Sequence, residues 1–374
     1  MYFLHYLYMV YARKFSMLIK VDVNTDLLEK IESLVKQGKY YDIYQFIKIA
    51  LNNQIQEESA NTEQKTFSEN KEPHTLQIRR QIIETQQNLM RMLSDVPLEK
   101  SQIPPPSQPL IWSFYNRFFP VKVIVNQLAI MMGTQNAWIK LSQLHDTAYG
   151  FTELLSSKLR EYEESHNLVR NQKISTGLPT PISESNKGRG FQRQKIQSKI
   201  LASKIRFIEQ FIGKLTAKEP PFEFKGACFE LGLMGVKVEG ATCFVTLTSL
   251  GRDFALLENP ILDHDQYDRV FSDDESNFII EKIIPKFNLE NIIVTEILNK
   301  IHEKNKLTTD DIDKIFVKEY LQYNEKEKPT KPKELDAFEK LMVGIRVATM
   351  GRLSELGKVK WTIDKTGRSE YAKN

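Results

Sequence analysis

Residues 18–57 place one short strand directly before two amphipathic helices. Apolar and polar residues alternate from Leu18 to Val23, so Ile19, Val21 and Val23 share one face of a strand. Helical spacing of apolar residues then predicts two helices in succession. A single strand with two helices cannot close a sheet, because its edge and its apolar face stay open. The simplest partner is the same strand of a second chain, so the sequence predicts a homodimer paired through Ile19, Val21 and Val23.

This pattern resembles the ribbon-helix-helix family, in which two chains pair one strand each into an antiparallel ribbon that lies in the DNA major groove. The resemblance covers residues 17–57. It implies that Leu18, Lys20 and Asp22 face the DNA, which makes Lys20 a predicted DNA contact. It also implies that the start of the second helix, near Asp42, offers backbone amides to a phosphate.

Two segments next to this module are predicted to lie outside folded domains. Residues 1–16 are interpreted as a disordered tail or an upstream extension. Residues 58–111 are interpreted as a linker that begins with a polar stretch and continues with one helix, from Leu76 to Leu93. The linker ends in the proline-rich stretch SQIPPPSQPL, a stiff spacer. The predicted dimerisation module is therefore tethered at a distance from the rest of the chain.

Residues 112–262 show the element order of a helix-turn-helix protein. FPVKVIVNQLAIMMGTQ predicts a first helix, a short second helix ends near Gly150, and a longer third helix follows. Farther along, a two-stranded hairpin turns near Glu239 and Gly240, and a final helix starts at Leu250. This order, together with the return LTSLGRDFA, resembles the winged-helix regulators of prokaryotes.

The winged-helix resemblance implies a recognition helix and an insertion. Lys158 and Arg160, on the third helix, are the predicted DNA contacts of that helix. Residues 168–220 are then an insertion between the third helix and the wing.

This insertion carries the most basic stretch of the chain. No acidic residue occurs between Lys187 and Arg206, while Gly188 and Gly190 supply flexibility. A basic arm that docks on phosphates releases counterions, so it adds affinity that falls with salt and does not depend on sequence. The alternative is a solvated helix face beside a loop. The predicted DNA contacts of the arm are Lys187, Arg189, Arg193, Lys195 and Lys199.

Residues 270–374 are predicted to form a helical domain that ends in a small hairpin. Three helices are expected before residue 324, a long helix follows a charged linker, and VKWTIDKTGRSEYAKN predicts a hairpin turning near Lys365–Gly367. We interpret this as a second winged helix, with a bundle whose hairpin only packs as the alternative. The long helix would present Lys340, Arg346, Thr349 and Arg352, and the wing Lys358, Lys360, Lys365 and Arg368.

Composition and motifs narrow the function classes. The net charge of +4 is mild, so any nucleic-acid surface must be local. The two cysteines, Cys228 and Cys243, cannot build a disulfide framework or a zinc site by themselves, and no stretch approaches the ~20 apolar residues of a membrane helix. We find none of the common phosphate-binding, dinucleotide-binding, serine-hydrolase or zinc-protease motifs. The expectation is a cytoplasmic protein that is not an enzyme and holds no metal or cofactor.

The sequence therefore predicts a mainly α protein with small β elements (α+β): a ribbon-helix-helix module followed by one or two winged-helix domains. The predicted function is that of a dimeric protein that binds double-stranded DNA, as a transcriptional regulator. A DNA partition adaptor is equally compatible. A protein-interaction scaffold whose ribbon only dimerises is the alternative, and the acids Asp22 and Asp42 favour it. The stretches STGLPTP and FALLENPILD resemble segments of uncharacterised archaeal DNA-binding proteins.

Overall fold

The structure of the protein is a computed structural model that describes residues 109–134, 137–181, 191–216, 223–323, 332–363 and 365–374. All of these lie in Gln81–Asn374, one of the two units into which the chain divides. The predicted ribbon module, with Lys20, Ile19, Val21 and Val23, lies outside the described residues, as does the linker up to residue 108.

Small strands alternate with helices in both halves of the described chain. The elements of the first half are α1 (Phe119–Thr134), β1 (Ile139–Lys140), α2 (Leu141–Ser165), α3 (Phe191–Arg206), β2 (Lys214–Leu215), β3 (Phe224–Lys225), α4 (Ala227–Glu230), β4 (Met234–Glu239), β5 (Thr242–Leu247), α5 (Ser249–Leu256), α6 (Pro260–His264) and α7 (Asp273–Phe278). Those of the second half are α8 (Asn288–Lys304), β6 (Lys306–Thr308), α9 (Thr309–Tyr323), α10 (Pro332–Glu355), β7 (Val359–Ile363) and β8 (Ser369–Lys373).

Helix α1 is the centre of the first half. Val123, Ile124, Val125 and Leu128 have no exposed surface. A helix that is apolar all round is stable only where other elements surround it, and α2, α5 and β5 pack against α1. The predicted helix at this position is confirmed.

The first sheet has three antiparallel strands in the order β1–β5–β4. Strands β4 and β5 pair from Met234 opposite Leu247 to Glu239 opposite Thr242. Gly240 closes the hairpin with φ +59°, a conformation that glycine adopts without the steric cost of a side chain. The predicted hairpin is confirmed, and the edge strand β1 joins it from the chain between α1 and α2.

The structure corrects the prediction for the region of helix α2. The sequence analysis divides this region into a short helix that ends near Gly150 and a longer one, whereas the structure has a single helix of 25 residues from Leu141 to Ser165. A glycine in a helix interior costs only ~1 kcal/mol relative to alanine. The buried stripe that includes Leu144, Leu155 and Leu159 continues across it, and burying a leucine side chain contributes ~2 kcal/mol.

The predicted insertion contains its own small elements. Helix α3 continues as a wider, π-helical turn over Phe207–Ile212, and β2 pairs with β3. Gly213 and Gly226 bring the two strands together: a Cβ atom on Gly226 would lie 2.3 Å from the Cα of Gly213. No other residue type fits at that approach.

The second half repeats the strand order of the first. Its sheet runs β6–β8–β7, so the short strand after α8 pairs with the last strand of the chain. The predicted helices before residue 324, the long helix at 332–355 and the hairpin are confirmed, and Gly367 has φ +83° at the predicted turn.

One continuous apolar core joins the two halves. The buried residues of α8 and α10 belong to the same cluster as those of α1. The described chain is mainly helical with small antiparallel sheets, so the predicted α+β class is confirmed at this level. Among the described residues, no helix combines the length and the apolar character that crossing a membrane requires.

Candidate nucleic-acid interface

Helix α3 carries several cations and no acid, and its exposed surface also includes Leu201 and Ile205. Its sequence from 191 to 206 contains no acidic residue, and Lys195, Lys199 and Arg206 are all exposed. At 100° per residue these three side chains, with the exposed Ala202, fall on one side of the helix. With a rise of ~1.5 Å per residue, the stripe from Lys195 to Arg206 is ~16 Å long.

The protein holds α3 from the opposite side and from its C-terminal end. The ammonium of Lys204 lies 4.5 Å from the centroid of the Tyr149 ring on α2, and the Ser203 hydroxyl accepts a hydrogen bond from the amide of Thr180 at 3.0 Å. Phe207 and Phe211 are buried where the helix ends. The cationic stripe therefore faces away from the core.

The electrostatics of this stripe favour an anion. Within the described residues, no carboxylate forms an ion pair with Lys195, Lys199 or Arg206; Glu209, the next acid along the chain, pairs with Lys214 at 2.7 Å. Lys195 and Lys199 are four residues apart, a spacing at which like charges destabilise a helix slightly. A phosphate chain along the stripe would relieve that repulsion.

The remaining predicted contacts of the arm are only partly described. Arg193 belongs to α3, but its side chain lies outside the described part of the structure. Lys187 and Arg189 also lie outside it.

The predicted recognition-helix cations of α2 are half-buried and engaged. The Lys158 ammonium lies 3.9 Å from a carboxylate oxygen of Asp265, and the Arg160 Nε donates to the Ser156 hydroxyl at 3.3 Å. The structure therefore does not place these two side chains on the stripe formed by α3.

Two predicted contacts on α10 are corrected. Arg352 is 1% exposed; its guanidinium donates to Glu290 at 2.6 Å and to the carbonyl of Tyr115 at 2.8 Å. Arg346 donates to Asp313 on α9 at 2.9 Å and is 11% exposed. Both side chains therefore lie on the face of α10 that packs against the rest of the protein. Thr349 is buried with them and bonds to Glu290.

The solvent face of α10 presents apolar side chains and, toward the start of the helix, an exposed ion pair. Leu341, Val343 and Val347 are each exposed by 42% to 46% of their surface. Toward the start of the helix, Asp336 pairs with Lys340 at 2.7 Å, and Glu339 is exposed. Such a surface has little to offer a phosphate backbone.

The hairpin of the second half carries several exposed cations. Lys360 on β7 and Lys365 and Arg368 at the turn are exposed, while Lys358 donates to Asn277 at 2.7 Å. Lys360 is thus accessible, on the hairpin where the sequence analysis places it.

Sequence reasoning missed a buried ion pair in the core. Lys122 on α1 lies 3.0 Å from Glu275, and both side chains are fully buried. The Lys122 ammonium also donates to the carbonyls of Phe254 and Leu257 at 2.8 and 2.6 Å, while Asn259 donates to Glu275. The sequence signal for this ion pair was Lys122 itself, a single lysine inside the apolar run FPVKVIV.

A second missed contact joins the two halves. The Glu355 carboxylate, at the end of α10, accepts from the amide of Phe118 at 2.5 Å and from that of Phe119 at 3.2 Å. It thereby caps the first turn of α1. Burial raises the pKa of Glu355 to about 7, although Arg117 and Arg352 act in the opposite direction.

No protein-family model, curated protein or solved structure matches the chain. In the part of the chain that the structure describes, no three His, Cys, Asp or Glu side chains are grouped as a metal ion would require.

Proposed function

We propose that this protein binds duplex DNA as a homodimer and regulates transcription, with α3 as its principal phosphate-contacting element. The observation that carries the proposal is the exposed stripe of Lys195, Lys199 and Arg206, which projects from a rigidly packed body. Docking three cations on phosphates releases counterions and supplies affinity without base contacts.

The topology of both halves supports a winged-helix assignment. In each half a helix is followed by a short strand, which pairs with the last strand of a C-terminal hairpin, in the orders β1–β5–β4 and β6–β8–β7. In the second half α9 and α10 fill the place of the helix-turn-helix pair. The hairpin cations Lys360, Lys365 and Arg368 then occupy the wing.

The test is fluorescence anisotropy on mixed-sequence duplex DNA across a salt series. Replacing Lys195, Lys199 and Arg206 together by Gln should weaken binding to every duplex alike and reduce the slope of log K against log salt by ~3, since each phosphate contact contributes ~0.9. The matched control replaces Lys282, Lys300 and Lys304 by Gln. It removes the same total charge from lysines that lie outside α3. If the α3 variant binds duplex DNA with wild-type affinity and salt dependence, the proposal is wrong.

A protein-interaction scaffold is the second candidate, and the exposed apolar face of α10 favours it. Leu341, Val343 and Val347 lie where a winged helix would present its recognition helix. Burying exposed apolar side chains is favourable against a protein surface and gains nothing against a phosphate backbone, so this face suits a protein better than DNA. Absence of duplex binding even at low salt would make this candidate primary. A DNA partition adaptor would give the same binding data as a regulator and differ in its genomic sites.

A further inference from the structure

A polar cleft of about 510 Å³ lies between the two halves. The first half contributes the loop around Asn171 and the segment 267–273, and the second half contributes the end of α10 and strand β7. Sites for small molecules have volumes of ~300–1,000 Å³ and commonly lie between domains. The size and position of the cleft are therefore those of a ligand site.

Asn171 joins the two walls of this cleft. The side chain is 9% exposed, and its amide nitrogen donates to the Trp361 carbonyl on β7 at 2.9 Å. A hydrogen bond between the loop of the first half and β7 of the second half holds the two walls at a fixed separation.

Aromatic side chains form part of the cleft wall. Tyr162 and Tyr267 stand with their ring centroids 5.2 Å apart, and Trp361 is held by a hydrogen bond from its indole N–H to the Ser369 hydroxyl at 3.0 Å. All three line the cleft and are half-buried. Half-exposed rings in fixed positions suit a planar ligand that can stack.

The charge of the lining favours an anion. Lys173 and Lys360 are exposed at the cleft, one from each half of the protein. Cationic side chains outnumber acidic ones in the lining, where Arg117, Lys173, Arg269, Lys358 and Lys360 stand against Asp268, Asp273 and Glu355. The ion pair between Asp273 and Arg269, at 3.7 Å, engages one charge of each sign, Glu355 caps α1, and Lys358 donates to Asn277. Lys173 and Lys360 are the exposed lysines left to meet a ligand.

We propose that this cleft binds a mononucleotide. The base would stack on the aromatic wall, while Lys173 and Lys360 would hold the phosphate. A ligand in this position touches both halves and fixes their relative orientation. The proposal does not rest on DNA binding, because it can be measured on the protein alone.

The test is thermal unfolding of the full-length protein with the ribonucleoside monophosphates of the four bases, each at about 1 mM, a concentration that stabilises measurably when Kd is near 10 µM. Isothermal titration then gives the affinity. We expect at least one nucleotide to raise the unfolding temperature, its nucleoside to do so less, and inorganic phosphate to have no effect. An equal effect of phosphate alone would indicate a plain anion site and overturn the proposal, as would no effect of any nucleotide.

Variants assign the binding to this cleft. Lys173→Gln with Lys360→Gln, both exposed and therefore neutral for folding, should weaken nucleotide binding at least tenfold. The exposed Lys282→Gln is the control and should bind as the wild type does. Wild-type affinity in the lysine variant would place the nucleotide elsewhere and refute the assignment.

Discussion

Lys122 illustrates at the scale of single residues how the core tolerates charge. Burial lowers the pKa of Lys122 and raises that of Glu275, in each case against the attraction of the partner. Burial thus outweighs the Coulomb attraction, and the pair persists because carbonyls, Asn259 and the Ser272 amide satisfy the remaining donors and acceptors. Breaking such a pair leaves one uncompensated charge.

Lys122→Met should therefore destabilise the protein by about 3–5 kcal/mol, measured by urea denaturation at neutral pH. Adding Glu275→Gln should recover a large part of that loss, because the orphaned carboxylate is removed. The exposed Lys282→Met is the control and should change stability by less than about 0.5 kcal/mol. If the double variant is as unstable as the single one, the lost packing of Lys122 and not the orphaned charge is the cause.

Individual site residues were predicted from the sequence only where exposure follows from composition. Lys195 and Lys199 lie in a helix in which polar residues outnumber apolar ones. Solvent exposure of its lysines was therefore the expected outcome. Arg346 and Arg352 have the same chemistry and a similar spacing, yet their helix is half apolar and the sequence does not show which side it buries. Glu290, which receives Arg352, lies 62 residues away along the chain.

At the scale of elements, α10 contains two glycines in opposite surroundings. A Cβ atom on Gly344 would meet nothing within 4 Å, whereas one on Gly351 would lie 2.5 Å from the Nη1 of Arg117. Gly344→Ala should stabilise the protein by about 0.5–1 kcal/mol, because alanine is the better helix former.

Gly351→Ala is the matched counterpart and should destabilise the protein, since the buried guanidinium of Arg117 has to move. Both effects appear as shifts in the midpoint of thermal unfolding. A loss of stability in Gly344→Ala would mean that the solvent face of α10 is covered, for example by a second copy of the chain.

The elements themselves were largely predictable. Alternation with a glycine turn indicated both hairpins, at Gly240 and Gly367, and apolar periodicity indicated α1, α8 and α9. The break expected at Gly150 was wrong, because the buried face of α2 passes uninterrupted through a residue that weakens a helix only slightly. The pairing of β1 with β5 and of β6 with β8 was not predicted, since strands of two or three residues carry no periodic signal.

At the scale of the whole molecule, the residues that the structure describes do not test the predicted dimerisation. Val21→Asp would place an unpaired charge in the predicted strand face, where burial costs several kcal/mol without a partner. The full-length variant should therefore be a monomer in size-exclusion chromatography with light scattering. Lys20→Gln, on the opposite face of the predicted strand, is the control and should remain a dimer. A dimeric Val21→Asp protein would move the interface elsewhere.

The contact between Glu355 and α1 predicts a pH dependence for the molecule as a whole. The folded carboxyl titrates near pH 7 and the unfolded one near 4.5, so the folded state binds the proton more tightly. Its contribution to stability is fully present below pH 4.5 and is lost as the pH rises to 7. The loss amounts to at most about 3 kcal/mol.

Glu355→Gln should remove this dependence, because the amide does not titrate over that range. The measurement is urea unfolding of both proteins at mildly acidic and mildly alkaline pH. An identical pH profile for the two proteins would contradict the raised pKa. Glu275, buried elsewhere in the core with a raised pKa, titrates in both proteins and cancels in the comparison.

The cap on α1 also has a consequence for synthesis on the ribosome. Glu355 follows Phe119 by 236 residues, and chains grow at about 5–20 residues per second. The first half of the core therefore waits about 10–50 s for the residue that completes it. During that interval its apolar surface faces water or a chaperone, so the nascent chain is more exposed to aggregation than the finished protein.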